Sequence, residues 1–458
     1  MSTITTRNPA TGETIETYPM MSVQDATAKL EAAHAAFLEW RTLSHADRAP
    51  YLSKIAQKLR DSAEELAALM TRETGKLLAD GKREVEICAA IFDYTAKHGP
   101  DALADEERTH GPKGSRGVVS YQPLGVIYSI QPWNFPLYQP VRVLAANLMT
   151  GNACVLKHAS ICTGTGLRLR ELCIAAGLPE DLFQVILIDH DTSDTLIAHP
   201  LVRGVTLTGS DTAGRHVGAV AAKALKKTVL ELGSNDAYLV LEDADIETAV
   251  KFSLMGRLYN NGQTCVAAKR FVVPDKVYDA FVTAYVAQMK AIKMGDPTDE
   301  DSQLGPLSSQ DQLDAVSDQV KDSLAKGARA LCGGAVPEGP GAYYPATVLV
   351  DVTPGMPAYD DEIFGPVAAI IRAKDDEDAM RIANDSRYGL GGGIFCKDEE
   401  RALRLARDHF DTGMIRINSF GAADPNMPFG GVKDSGYGRE HGGFGLKEFV
   451  NVKAIFLP

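Results

Sequence analysis

The chain has 458 residues, 45% of them hydrophobic and 23% charged, with a formal net charge of -13. That length exceeds one simple core and calls for two or three domains. The acidic balance, with no large lysine-arginine cluster, excludes a nucleic-acid track and suits a soluble protein. No apolar run reaches the ~20 residues that cross a bilayer, so no membrane partner is expected. None of the seven cysteines forms a Cys-x-x-Cys pair, which argues against a disulfide framework and a zinc site and for a reducing compartment. Met1 to Pro9 is polar, without the apolar core of a secretory signal, and a cytoplasmic location is expected.

Leu52, Ile55, Leu59, Leu66 and Met70 fall at helical spacing and predict a packed amphipathic helix. From Gly117 the pattern changes. Gly117–Tyr121 and Leu124–Ile130 read as strands with a Gln122-Pro123 break. Ala153–Lys157, Phe183–Ile188 and Val202–Thr208 read as further strands. Helices are predicted over about 164–176, through Leu196 and through Leu225. Past Glu231 come strands near Ala237–Leu241, Arg270–Val273, Ala368–Ile371 and Met414–Ile417. The helices among them are predicted at Ile246–Tyr259, Tyr278–Lys290, Gln310–Lys326, Asp376–Asn384 and Glu399–His409. Apolar strands alternating with helices imply parallel sheets covered on both faces. With no low-complexity linker, the boundary near residue 230 reads as a compact junction. The apolar tail Phe449–Leu457 reads as a terminal strand that needs a partner edge, for which a second subunit is one outlet.

Several motifs carry chemistry, each beside a plainer reading. Pro132-Trp133-Asn134-Phe135-Pro136 is a rigid loop presenting a carboxamide, as an oxyanion donor requires; Asn134 is alternatively a helix cap. Lys157, followed by His158-Ala159-Ser160, stands at a strand end, where open α/β sheets bind ligands, or simply leaves the sheet for solvent. Gly209-Ser210 turns a strand into a helix, a ready anion site, or Ser210 is only the N-cap. Glu231 ends an apolar strand, so partial desolvation would raise it toward general-base range, or it is simply a surface glutamate at a strand end. Glu362-Ile363-Phe364-Gly365 pairs a carboxylate with an aromatic in a loop, where Glu362 accepts from ribose hydroxyls or is only the exposed acid of a turn. Cys265, in Gly262-Gln263-Thr264-Cys265, is presented by a turn-forming run, although a free cysteine is usually an inert buried hydrophobe.

Taken in order with Pro428-Phe429-Gly430-Gly431, these motifs resemble the aldehyde dehydrogenase superfamily over nearly the whole chain. Within it the chain is most similar to bacterial succinate-semialdehyde dehydrogenases of the short type, through Lys157–Ser160, Ala267–Arg270, Lys293–Pro297 and Phe429–Lys433. The resemblance implies an α/β fold with a Rossmann-like cofactor domain (1–110 and 124–230), an α/β catalytic domain (231–430) and a small β oligomerisation element (111–123 and 436–458). It implies oxidation of an aldehyde to a carboxylate with NADP or NAD, through a thiohemiacetal and a thioester on Cys265. Asn134 is then the oxyanion donor and Glu231 the base. Trp133, Lys157, His158, Ser160, Gly209, Ser210, Leu232, Glu362 and Phe364 are the expected cofactor residues. NADP is favoured because Ser160 replaces a glutamate that would repel the 2′-phosphate. Arg142 and Thr264 are the expected substrate contacts, Arg142 holding the carboxylate of succinate semialdehyde. No metal is implied; a homodimer or homotetramer is. Three departures, Ser234 for a second glycine, Ala423 for a serine and Thr264 where some relatives have serine, bear on the substrate. A neutral aliphatic or aromatic aldehyde is the alternative, and a non-catalytic family member the second.

Overall fold

The computed structural model describes residues 2–111 and 114–458. Its alternating elements build two sheets. In the first, Gly436–Tyr437, Lys227–Glu231, Val202–Thr208, Val126–Gln131, Ala153–His158 and Phe183–Val185 lie side by side in that order. All are parallel to their neighbours except the antiparallel Gly436–Tyr437. In the second the order is Arg329–Cys332, Thr347–Val350, Val367–Ala373, Arg270–Pro274, Ala237–Val240, Gly392–Phe395 and Arg416–Ile417. Only Arg329–Cys332 runs antiparallel there. The two-residue period of a strand splits this sheet's side chains cleanly. Ala237 and Leu239 join the core on one face, Tyr238 and Val240 the core on the other. Both faces are therefore covered, as the near-continuous apolar strands require.

The local differences from the sequence reading have physical reasons. The 52–70 pattern is two helices, His45–Asp61 and Ala63–Thr74, broken at Ser62 (φ -107°, ψ 15°). Its five apolar residues are all fully buried. The strand Ser115–Pro123 runs through Gln122-Pro123, and the break falls at Gly125, whose φ of 142° suits glycine. The Phe183 strand stops at Val185, because the carbonyl of Leu187 turns to accept from Met21 N–H at 2.8 Å. The helix expected through Leu225 ends at Lys223. Lys226 N–H reaches the Ala221 carbonyl and Leu225 N–H that of Ala222, a Schellman ending with Leu225 at φ 56°.

The apolar tail finds its first partner in its own chain. Val450–Phe456 pairs antiparallel with Ser115–Pro123, and Ser115–Pro123 with Glu106–His110. This three-stranded sheet thus begins at Glu106, before the expected boundary at 111, and Gly436–Tyr437 belongs to the six-stranded sheet instead. Of the expected 111–123 segment, residues 112 and 113 lie outside the described residues. The far edge of Val450–Phe456 has no strand beside it among the described residues, and Val452, Ile455 and Phe456 are exposed along it.

Candidate active site

Four parallel strands of the six-stranded sheet end side by side, and their C-terminal ends carry four of the motifs. Val126–Gln131 leads into Trp133-Asn134, Ala153–His158 ends on Lys157-His158, Val202–Thr208 leads into Gly209-Ser210, and Lys227–Glu231 ends on Glu231. This is the edge where open α/β sheets bind ligands. The second sheet brings the Cys265 turn and the Glu362 loop against it.

Two cavities meet at Cys265. The larger, about 700 Å³, is lined by Trp133, Asn134, Gly209, Ser210, Leu232, Glu362 and Phe364 among others. Trp133 and Phe364 stand edge to face across it, ring centroids 5.6 Å apart. The helix Asp211–Lys223 starts at its wall, with Ser210 Oγ accepting from Ala213 N–H at 3.2 Å; Ser210 is both cap and wall. Gly214 lets that helix close down, since a Cβ there would lie 2.4 Å from Leu232 Cδ1. The smaller cavity, about 400 Å³, is walled by Ile87, Phe135, Tyr138, Tyr259, Val266 and Phe429, with Thr264 and Ala423 also on it. Cys265 and Gln139 line both.

The sulfur is placed by backbone geometry. Asn260 and Asn261 adopt left-handed φ of 55° and 56°, which asparagine tolerates best after glycine. Gly262 (φ 75°) follows, where a Cβ would meet the Gly365 carbonyl at 2.4 Å. Thr264 Oγ1 donates to the Tyr259 carbonyl at 3.1 Å. No partner among the described residues takes the Cys265 N–H. Burial pushes the Cys265 thiol up to about 12, while Arg142 and Lys269 pull it down and Glu362 and Asp236 push it up. The Asn134 amide is held beside it. Its Nδ2 donates to the Gln263 carbonyl at 3.2 Å, its Oδ1 accepts from Gln139 at 3.3 Å, and its carbonyl accepts from Lys76 and Asn260 at 3.0 and 2.7 Å. Its second Nδ2 hydrogen has no acceptor among the described residues.

Glu231 is buried, and neither carboxylate oxygen has a hydrogen-bond partner. Burial, and then Glu440, raise it well above the ordinary carboxylate range, against Arg142 and Arg439. It does not line either cavity. One oxygen lies over Gly430, where a Cβ would sit 2.7 Å away. The missing side chain of Gly430 is thus the space that this carboxylate occupies.

Three expectations change. Arg142 is not on a cavity wall. Its side chain is completely buried, ion-paired with Glu440, and donates to Thr208 Oγ1 at 2.7 Å. It stacks behind the wall residues Phe429 and Tyr138, 5.0 and 5.4 Å from their ring centroids. Its charge is already matched by Glu440, and although Nη1 has no hydrogen-bond partner, the guanidinium lies behind the cavity wall rather than on it. His158 is turned inward as well. Its Nε2 donates to the Pro136 carbonyl at 2.7 Å, its Nδ1 accepts from Ala159 N–H at 3.0 Å, and burial lowers it below the usual histidine range. Lys157 and Ser160 stay at the strand end but do not line the larger cavity; burial lowers the Lys157 amine. The sequence reading missed Gln139, Gln312 and the aromatic walls. Gln312 enters the larger cavity from the first turn of a distant helix, its Nε2 donating to the Phe364 carbonyl at 2.8 Å. Nothing in its local sequence marks it.

The chain also matches known proteins along its full length. Residues 1–455 match the family model described as the aldehyde dehydrogenase family. It is 43% identical to the NADP(+) succinate-semialdehyde dehydrogenase of Mycolicibacterium paratuberculosis, over 99% of this chain and 96% of that protein. It is likewise 43% identical to that of Deinococcus radiodurans, over 98% and 94%. The crystal structure of succinic semialdehyde dehydrogenase from Streptococcus pyogenes in complex with NADP+ superposes with a TM-score of 0.96, at 40% identity, over 99% of this chain and 100% of that one.

Proposed function

The chain belongs to the aldehyde dehydrogenase family, and from that premise we propose that it oxidises succinate semialdehyde to succinate with NADP as the favoured cofactor and NAD as the alternative. The relatives named above carry that activity in their names. The observation that carries the reading is the position of Cys265, the meeting point of a larger cavity of mixed lining and a smaller, almost wholly apolar one. The larger cavity suits a dinucleotide in its chemistry: the helix start at Ser210 and the outer carboxylate edge of Glu362 match a phosphate and a ribose. Trp133, Gly209, Ser210, Leu232, Glu362 and Phe364 would hold it, with Lys157 and Ser160 at the 2′-phosphate end. When bound, it supplies the hydride acceptor that turns a thiohemiacetal on Cys265 into a thioester.

The chain's residues do the rest. Cys265 attacks as a thiolate, and because burial raises its pKa its proton must first pass to a base, either water in the site or the Glu231 carboxylate. The spare Asn134 N–H and the Cys265 N–H stabilise the oxyanion. Glu231, buried without partners, swings from the space over Gly430 to activate water on the thioester. The three-stranded sheet, through the open edge of Val450–Phe456, pairs subunits into a dimer or tetramer, with 1–110 and 124–230 holding cofactor and 231–430 carrying the nucleophile. The location is cytoplasmic; no helix is long and apolar enough to cross a membrane among the described residues.

A second reading, a neutral aliphatic or aromatic aldehyde, is favoured by the smaller cavity, whose wall holds no lysine or arginine. Kinetics decide. Cys265→Ala should abolish aldehyde oxidation, and Glu231→Gln should give a burst of reduced cofactor followed by slow turnover. Full steady-state activity in either variant would sink the mechanism. A higher kcat/KM for butanal than for succinate semialdehyde would move the substrate to the second reading.

A further inference from the structure

Ser234 is a departure that the mechanism leaves unexplained, and its surroundings give it a partner. Lys269, 3% exposed, extends its ammonium between three acceptors: Glu362 Oε1 at 2.9 Å, Ser234 Oγ at 2.8 Å and the Cys265 carbonyl at 2.5 Å. Ser234, fully buried, accepts from Lys269 and donates its own hydroxyl to the same Cys265 carbonyl. An ammonium has three hydrogens and no acceptor; two of them go to Ser234 and the Cys265 carbonyl, and Glu362 stands opposite at ion-pair distance. The backbone of Lys269 is pinned too. Its N–H donates to the Asp236 carbonyl and its carbonyl accepts from Ala369 N–H, each at 3.1 Å. The lysine is thus a fixed post in the second sheet. Glu362, at its far side, lies against Gly233, where a Cβ would sit 2.6 Å from Oε2.

We propose that Lys269 is a positioning residue that ties Glu362, in the larger cavity, to the backbone of the Cys265 turn, with Ser234 as the spacer that aims it. Seating the cofactor and holding the sulfur in line then depend on one buried cation. Two physical arguments support this. A buried charge is tolerated only when paired and fully hydrogen-bonded, so Lys269 cannot leave one of its acceptors without cost, and a shift in Glu362 is felt at the Cys265 carbonyl. The second concerns Ser234. A glycine there would leave the ammonium one acceptor short and the Cys265 carbonyl one donor short, so the serine completes the arrangement that Lys269 begins. The charged groups facing Cys265 are Arg142, Lys269, Glu362 and Asp236, and of these Lys269 alone bonds its backbone.

The inference rests on the proposed role of Glu362 as a cofactor contact, and its test needs no aldehyde. Two quantities are measured on the purified full chain: the Kd of NADP by fluorescence titration, and the rate of Cys265 alkylation by iodoacetamide from pH 6 to 10 without cofactor. Lys269→Met should raise the Kd at least about tenfold, as expected for breaking a charge-assisted contact. It should also slow alkylation at pH 8 at least about fivefold, with the profile displaced to higher pH by loss of a nearby cation. Combined with Glu362→Gln, the increases in Kd should not multiply, because both variants break one link. Ser234→Gly should move both readouts the same way by smaller factors, and it decides the question if Lys269→Met does not fold. Multiplying losses in the double variant, or an alkylation profile unmoved in both Lys269→Met and Ser234→Gly, would overturn the proposal. Failure of the underlying reading shows separately, as wild-type protein that does not bind NADP.

Discussion

Arg142→Met distinguishes a structural arginine from a substrate ligand. The side chain of Arg142 has no exposure and Glu440 is 8% exposed, so the substitution strands a carboxylate in the interior. Stranded, Glu440 escapes by taking a proton. From an ordinary pKa of about 4.3, holding it neutral at pH 7 costs about 1.4 kcal/mol per pH unit, or about 3.7 kcal/mol. That agrees with the roughly 3–5 kcal/mol seen when one partner leaves a buried pair. At pH 5 the same arithmetic gives about 1 kcal/mol. The sign follows from the raised folded-state pKa: the stability of the variant is full below the unfolded value and is lost as pH rises. At roughly 2–4 °C per kcal/mol for units of this size, the Tm should fall by roughly 8–15 °C at pH 7 and by a few degrees at pH 5. Arg142→Met/Glu440→Gln should recover more than half of the loss. The companion assay compares kcat/KM for succinate semialdehyde and butanal, which should fall by factors within about threefold of each other, since Arg142 acts only from behind Phe429 and Tyr138. Scanning calorimetry and steady-state kinetics read both. A wild-type Tm with a tenfold or greater selective loss for succinate semialdehyde would refute the reasoning and return Arg142 to the substrate.

Glu231 should cost stability in proportion to pH. Burial raises its folded-state pKa, so its contribution is full below the unfolded value and declines above it; Glu231→Gln removes the decline. The Tm advantage of the variant over wild type should grow between pH 5 and 8, by about 1.4 kcal/mol per unit until the carboxyl ionises, and a constant difference would contradict the burial argument. Gly214→Ala should push Leu232 into the larger cavity, since the added Cβ meets only that side chain within 3.1 Å. Overpacking of about 1–3 kcal/mol then raises KM for NADP at least about fivefold with kcat nearly unchanged; an unaltered KM would show that Leu232 has room to retreat.

Much of the site was legible because its motifs are local. Asn134, Glu231 and Cys265 sit in short segments whose glycines, prolines and strand ends state their own geometry. The structure explains those glycines by what they make room for: Gly262 for Gly365, Gly233 for Glu362, Gly430 for Glu231. The parallel sheets were legible for the same reason, since a strand buried on both faces must be apolar at every position. Strand ends and helix ends were less so. Leu225 continues the helical pattern, yet the chain turns there, because the Schellman bonds to Ala221 and Ala222 outweigh the strain of a leucine at positive φ.

The sequence by itself determined the family to which the chain belongs, through the order and spacing of the segments that hold Asn134, Glu231 and Cys265. Tertiary structure alone decided which charges are available to it. Arg142 looks like a ligand on its helix, and only the approach of Glu440, 298 residues later, shows that its charge is taken. Lys269 looks like one more cation after the nucleophile, until Ser234 and Glu362 close around it. Periodicity reports which way a side chain faces, but not what it meets there. An ion pair in a low-dielectric interior depends on the latter, so the electrostatics of this site belong to the fold.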